Sequence, residues 1–208
     1  MEFTGKFETH ITVCLDDLKE IEVLQKWSAN NGFKFLHIML DRGVTASQPM
    51  LTRYGWGDLT NELNIAIKLG ESLKKKGFSV LRTKIEAAPE NQGIPQSNSE
   101  ALNYPLDRYF EHHIKLLLEP SVDLAQLRKL AEQHSAHLSR NVLKIRNDNY
   151  QERFITQRCM TVGRVEAQKR LRILLGAISP LGYSLLKVEQ EFVVYDSNLK
   201  IDEGWILT

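Results

Sequence analysis

The chain has 208 residues, 42% of them hydrophobic and 25% charged, and its 27 Lys and Arg against 26 Asp and Glu give a formal net charge of +1. Such globular proportions exclude a chain that is disordered, collagenous or coiled-coil throughout. The even charge balance also excludes sequence-independent binding to long nucleic acid, which needs a clear excess of cations.

In chain order, residues 7–13 are rich in β-branched and aromatic side chains and predict a strand. Residues 16–30 carry Leu18, Ile21, Leu24 and Trp27 at helical spacing, and Gly32 ends that helix. A second strand over 33–40 leads into the turn Asp41-Arg42-Gly43, and a third covers 49–54. Gly55-Trp56-Gly57 predicts a turn with Trp56 packed. A helix over 59–76 places Leu63, Ile67 and Leu73 on one stripe and stops at Gly77, and a fourth strand runs over 78–87. Pro89, Gly93, Pro95 and Pro105 then break both periodicities and predict an exposed linker over 89–107. Beyond it come a strand over 109–118, a helix over 123–134, strands over 137–145 and 153–160, a helix over 164–179 closed by Pro180 and Gly182, and a strand over 183–195. The tail over 196–208, with Trp205, shows no period that would place it.

The chain also reads as written twice. Phe7-Glu8-Thr9-His10-Ile11-Thr12 matches Phe110-Glu111-His112-His113-Ile114-Lys115 at four of six positions. Gly77-Phe78-Ser79-Val80-Leu81-Arg82 matches Gly182-Tyr183-Ser184-Leu185-Leu186-Lys187 at nearly the same offset, and Met50-Leu51-Thr52 stands opposite Phe154-Ile155-Thr156. The expected fold is therefore α+β: two tandem duplicated ferredoxin-like βαββαβ lobes, 1–88 and 108–208, each with strand order 4-1-3-2 and both helices on one face. Their uncovered sheet faces are expected to meet across an inter-lobe cleft or pseudo-barrel.

Strand side chains alternate between faces. With Phe7, Thr9, Ile11 and Val13 toward the helices, Glu8, His10 and Thr12 take the open face. The same parity places Glu111, His113 and Lys115 there in the second lobe and leaves His112, awkwardly, on the helix side. Arg82, Lys84 and Glu86 join them from the fourth strand, and Lys187, Glu189 and Glu191 from the last. Two repeat registers are open: one pairs Glu86 with Glu191, the other pairs it with Glu189. A cluster of this kind needs internal pairing or a ligand, and salt bridges across a solvated sheet face would also account for it.

His10-Ile11-Thr12-Val13 resembles the motif of the two-histidine phosphoesterases, a family built from two pseudo-symmetric lobes. The resemblance implies a phosphoester-handling enzyme in which His10 and His113 exchange protons with the substrate while Thr12 and Lys115 hold phosphate. Glu8, Glu111, Lys84, Glu86, Lys187 and Glu189 would complete the substrate site. The second copy departs from the motif, with Lys115 where the family has a hydroxyl residue, and His137-Leu138-Ser139 is not its repeat equivalent. An alternative is a metal-dependent enzyme in which His10, Glu86, His113 and Glu189 or Glu191 supply two imidazoles and two carboxylates. That set is similar to the ligand pattern of the glyoxalase and extradiol dioxygenase superfamily, whose modules lack the second helix read here. A third reading is a ligand- or protein-binding module without chemistry. The expected partner is a small molecule, and the sequence assigns no cofactor and no oligomeric state. Cys14 and Cys159 form neither a disulfide framework nor a zinc site, no apolar run is long enough to span a membrane, and residues 1–6 lack a signal core, so the cytosol is the expected location.

Overall fold

The computed structural model describes residues 2–15, 17–144 and 146–205. Asp16, at the predicted start of the first helix, and Ile145, at the predicted end of the sixth strand, lie outside the described residues, as does the tail beyond Trp205. The first half runs β1 (Thr4–Cys14), α1 (Leu18–Asn30), β2 (Lys34–Leu40), β3 (Ser47–Asp58), α2 (Leu59–Lys75) and β4 (Ser79–Ala87). After the short α3 (Asn98–Ala101), the second half runs β5 (Tyr109–Leu118), α4 (Leu124–Gln133), β6 (Ala136–Asn141), β7 (Gln151–Met160), α5 (Arg164–Ile178) and β8 (Ser184–Asp196).

All strand pairings are antiparallel, and together they close a barrel in the order β1-β3-β2-β6-β7-β5-β8-β4. Each half thus contributes a four-stranded run in the order 4-1-3-2. The halves join by hydrogen-bonded ladders at both seams. Ile38 to Leu40 of β2 pair with Asn141 to Ser139 of β6, and Lys84 to Ala87 of β4 pair with Asp196 to Phe192 of β8 across a bulge. The expected cleft is therefore a closed barrel. Closure removes four sheet edges that an open cleft would leave unpaired, and eight strands enclose an interior wide enough for side chains and one small ligand.

Local chemistry sets the helices. Asp17 caps α1 by accepting from the Glu20 amide at 2.9 Å, Asp58 caps α2 from the Asn61 amide at 2.8 Å, and Asp123 caps α4 from the Ala125 amide at 2.8 Å. The helices lie outside the barrel, over three apolar layers. Ile11, Val13, Leu24, Leu51 and Leu73 form the layer of the first half, and Ile114, Leu116, Leu127, Ile155 and Leu174 that of the second. Phe3, Phe7, Ile85, Phe110 and Phe192 form a third layer that includes residues of both halves. No helix among the described residues is long and apolar enough to cross a membrane.

Two local expectations are corrected. Gly55-Trp56-Gly57 is strand rather than turn: β3 continues to Asp58 because β1 begins at Thr4 and extends the ladder, pairing Trp56 with Lys6. Trp56 is not packed; it is 71% exposed. The segment 89–107 is exposed along about half its length but is anchored rather than loose. Ile94, Pro95 and Ala101 are buried, the Tyr104 hydroxyl donates to the Gly93 carbonyl at 2.6 Å, and the Arg164 amide donates to the Pro95 carbonyl at 2.9 Å. The prolines break periodicity, yet the strap lies against the start of α5, where a Cβ on Gly163 would stand 2.4 Å from the Ser97 carbonyl carbon.

Candidate functional site

Barrel closure turns the open faces of both halves toward one interior cavity of about 290 Å³. Glu8, His10 and Thr12 line it from β1, Arg82 and Lys84 from β4, Glu111, His113 and Lys115 from β5, and Lys187, Glu189 and Glu191 from β8. Glu86 stands beside it, bonded to His10.

The two histidines have matching surroundings. His10 lies opposite Thr52 of β3, and its Nδ1 is 2.9 Å from the Thr52 hydroxyl. His113 lies opposite Thr156 of β7, with Nδ1 3.0 Å from that hydroxyl. His10 Nε2 is 2.9 Å from Glu86 Oε2 and 3.5 Å from Glu8, and His113 Nε2 is 3.4 Å from Glu191 Oε2. The hydroxyls fix the rings, and each outer nitrogen meets a carboxylate. Glu86, His113 and Glu191 bring potential ligand atoms within 4.8 Å of one another, so the two centres meet at Glu86.

Their electrostatics differ. Glu86 is almost fully buried, which by itself would favour the neutral acid. The Lys84 ammonium at 2.6 Å and the His10 ring override that and hold it well below the usual carboxylate range. Glu191 has no lysine in that position, because Glu189 lies across the ladder from His113 where Lys84 lies across from His10. Burial and the charge of Glu86 push Glu191 up to about 7, against the opposing pull of His113. Burial also disfavours a charged His113, but its hydrogen bond to Glu191 and the charges of Glu111, Glu191 and Glu86 lift it to about 9. Glu111, held down to about 2 despite burial by Lys84 and Arg158, is a permanent anion.

The cavity is shut at one end and open at the other. At the closed end Arg82 donates to Asp196 at 2.8 Å and to Asp202 at 3.0 Å, and Arg158 donates to Asp202 at 2.9 Å. The Tyr109 hydroxyl donates to Asp196 at 2.9 Å, and the Arg158 guanidinium lies 4.3 Å from the Tyr109 ring centroid. The tail forms this plug: a 3-10 turn over Leu199–Asp202 delivers Asp202, and the Trp205 indole donates to the Leu138 carbonyl at 2.9 Å. His137 packs against Trp205 at 5.8 Å, with burial and the nearby Arg42 pushing its pKa down to about 4, so it belongs to the plug. At the other end Lys34, Tyr54, Lys144 and Lys187 line the cavity and are exposed.

The expected residues therefore fall into three places. His10, His113 and Glu86 form the centre, with Glu8 beside His10. Thr12, Lys84 and Glu111 lie toward the plug, Thr12 opposite Arg82 and Lys84 bridging Glu86 and Glu111. Lys115, Lys187 and Glu189 lie toward the mouth, where Lys115 pairs with Glu152 and Lys187 with Glu189. His113 Nε2 meets Glu191 as His10 Nε2 meets Glu86, although Glu189 is the residue across the ladder from His113. The sequence reading passed over Thr52 and Thr156, although Thr52 and Thr156 close its own matched triplets. His112 on the helix side is buried and bonded to Gln157 at 3.0 Å, and burial pushes its pKa down.

No family model matches the chain, and no curated protein matches it. Among solved structures it is similar to the small subunit of acetolactate synthase from Thermotoga maritima, at 13% identity over 91% of this chain and 94% of that one, with a TM-score of 0.32. It is also similar to a point mutant of chlorite dismutase from Candidatus Nitrospira defluvii, at 12% identity over 96% of this chain and 93% of that one, with a TM-score of 0.29. Likenesses at this level carry no argument about activity, so the functional conclusion rests on the cavity itself.

Proposed function

We propose that the protein is a small-molecule enzyme that performs acid–base chemistry on a phosphoester inside the barrel, and that its halves are tandem copies of one ferredoxin-like unit. The observation that carries this reading is that one imidazole from each half faces the same cavity, each backed by a threonine and a carboxylate. Groups whose surroundings drive their proton affinities apart are suited to opposite roles. The His10–Glu86 pair, kept anionic at Glu86 by Lys84, is the proton acceptor. The His113–Glu191 pair, which holds a proton at neutral pH, is the donor. In the proposed step a water oxygen bonds to phosphorus as its proton passes to the His10–Glu86 pair. The bond from phosphorus to the leaving oxygen breaks as that oxygen takes a proton from the His113–Glu191 pair. Solvent at the mouth then restores both pairs. Lys115, at the repeat position of Thr12, adds a cation for the phosphoryl group.

The test is turnover of a panel of cyclic and linear phosphodiesters by the purified chain. Activity that falls about 10²–10⁴-fold in His10→Gln and in His113→Gln is the expected result. Absence of turnover across the panel, or turnover that survives both substitutions, overturns the reading. Metal analysis of the same preparations addresses the Glu86–His113–Glu191 cluster. The Lys84 ammonium already balances Glu86 there. Stoichiometric metal that disappears with His113→Ala would replace the acid–base reading with a metal-centred one.

A further inference from the structure

The cavity is not polar throughout, and its apolar strand side chains are confined to one run of strands. The contiguous run β5-β8-β4-β1 carries the histidines, carboxylates and most of the cations. The contiguous run β3-β2-β6-β7 carries Leu36, Ile38, Met50 and Phe154 among polar side chains such as Gln48, Asn141 and Thr156. Each of these four apolar side chains points into the barrel yet is only half-buried, so its carbon surface faces the cavity and not a packed neighbour. Met50 and Phe154 are repeat equivalents, so both halves present an apolar residue at this height. The helix-facing layers outside the barrel are closed by contrast, with Ile11, Leu51, Ile114 and Ile155 at 1% exposure or less. An apolar surface left facing a water-sized space gains free energy when ligand carbon covers it, roughly in proportion to the area covered.

Apolar and charged walls meet at one place. The Lys115 ammonium lies 5.7 Å from the Phe154 ring centroid, on the mouth side of His113. Lys34, Lys144 and Lys187 surround the same mouth. Lys115 is paired with Glu152, so a ligand that meets both walls exchanges that carboxylate for an anionic group of its own, joined directly to a compact apolar body. The volume of about 290 Å³ limits that body to one or two rings.

We infer that the substrate is an amphiphilic phosphate ester, its phosphate held by Lys115 between the two histidines and its apolar body lying against Leu36, Ile38, Met50 and Phe154. The phosphate in this inference rests on the proposed function; the apolar body rests on the β3-β2-β6-β7 wall alone.

Calorimetric binding to the full chain tests it without requiring turnover, with 1-naphthyl phosphate, glycerol phosphate and 1-naphthol as probes. The expected result is naphthyl phosphate at least about ten-fold tighter than either other compound. Phe154→Gln and Ile38→Gln should each remove most of that advantage while leaving glycerol phosphate unchanged, and Lys115→Met should weaken both phosphates. Phe154→Leu, which keeps the barrel packed, should retain the preference, so loss of fold and loss of contact are told apart. Equal affinity for naphthyl and glycerol phosphate would overturn the apolar body and leave the phosphoester reading standing. Naphthol binding as tightly as its phosphate, and indifferent to Lys115→Met, would overturn the anion and the phosphoester reading with it.

Discussion

Glu86 and Glu191 occupy matching places in the two halves, each across a ladder from a matching glutamate and each bonded to a matching histidine. One is held ionised and the other near neutrality. Lys84 and His10 hold Glu86 down, while Glu191 has no lysine beside it and is pushed up by burial and by the charge of Glu86. The ends of the barrel show the same divergence. Arg82 and Arg158 anchor the plug, whereas Lys187 and Tyr54, at the matching positions, sit exposed at the mouth. Two halves of the same strand order thus hold one carboxylate ionised and the other near neutrality, and form a floor and an entrance, by differing in few side chains. Closing one end with a tail that exists once in the chain completes the asymmetry.

Four experiments can break or sharpen this contrast. The largest effect is expected at the centre, where His10→Gln and His113→Gln should each lower turnover by two to four orders of magnitude; equal activity in either would dissolve the pairing of roles. The ends come next. Arg82→Ala strips a buried cation from Asp196 and Asp202 and should destabilise the fold by about 3–5 kcal/mol. Lys187→Ala, at the matching position but mostly exposed, should change stability by about 0–1 kcal/mol. Denaturant midpoints that move equally for both would show that the two ends are not energetically distinct.

Gly163→Ala should cost about 1–3 kcal/mol, since the new methyl meets the Ser97 backbone; an unchanged melting temperature would show that the strap yields freely. The smallest effect is a shift in pH dependence. A donor lifted to about 9 holds its proton below that pH and loses it above, so kcat should fall on the alkaline side near pH 9. Glu191→Gln removes the carboxylate whose hydrogen bond and charge raise His113, so the alkaline limb should move to lower pH by about one unit. A limb that stays in place would separate His113 from Glu191 as a working pair.

Much of the interior was legible in the chain. Period-two alternation in residues 7–13 and 109–118 selected Glu8, His10, Thr12, Glu111, His113 and Lys115 as one face, and those six line the cavity. Alternation fails on β2, where Phe35 packs outward and Leu36 and Ile38 point inward. Both faces are apolar there, so nothing in the local pattern marks the inward set as a binding wall. Glu191 could be separated from Glu189 only by knowing which residue lies across from Glu111, and cross-strand register is settled by pairing distant segments.

The amino-acid order by itself determined most of the element types and the side chains that share a face on β1 and β5, because helical and strand periods act over a few residues. Closure at both seams, the seating of Asp202 and Trp205 in the floor, and the threonine behind each imidazole were decided only in three dimensions. Each depends on residues far apart in sequence meeting at hydrogen-bond distance, and a charge acquires its proton affinity from those neighbours rather than from its place in the chain.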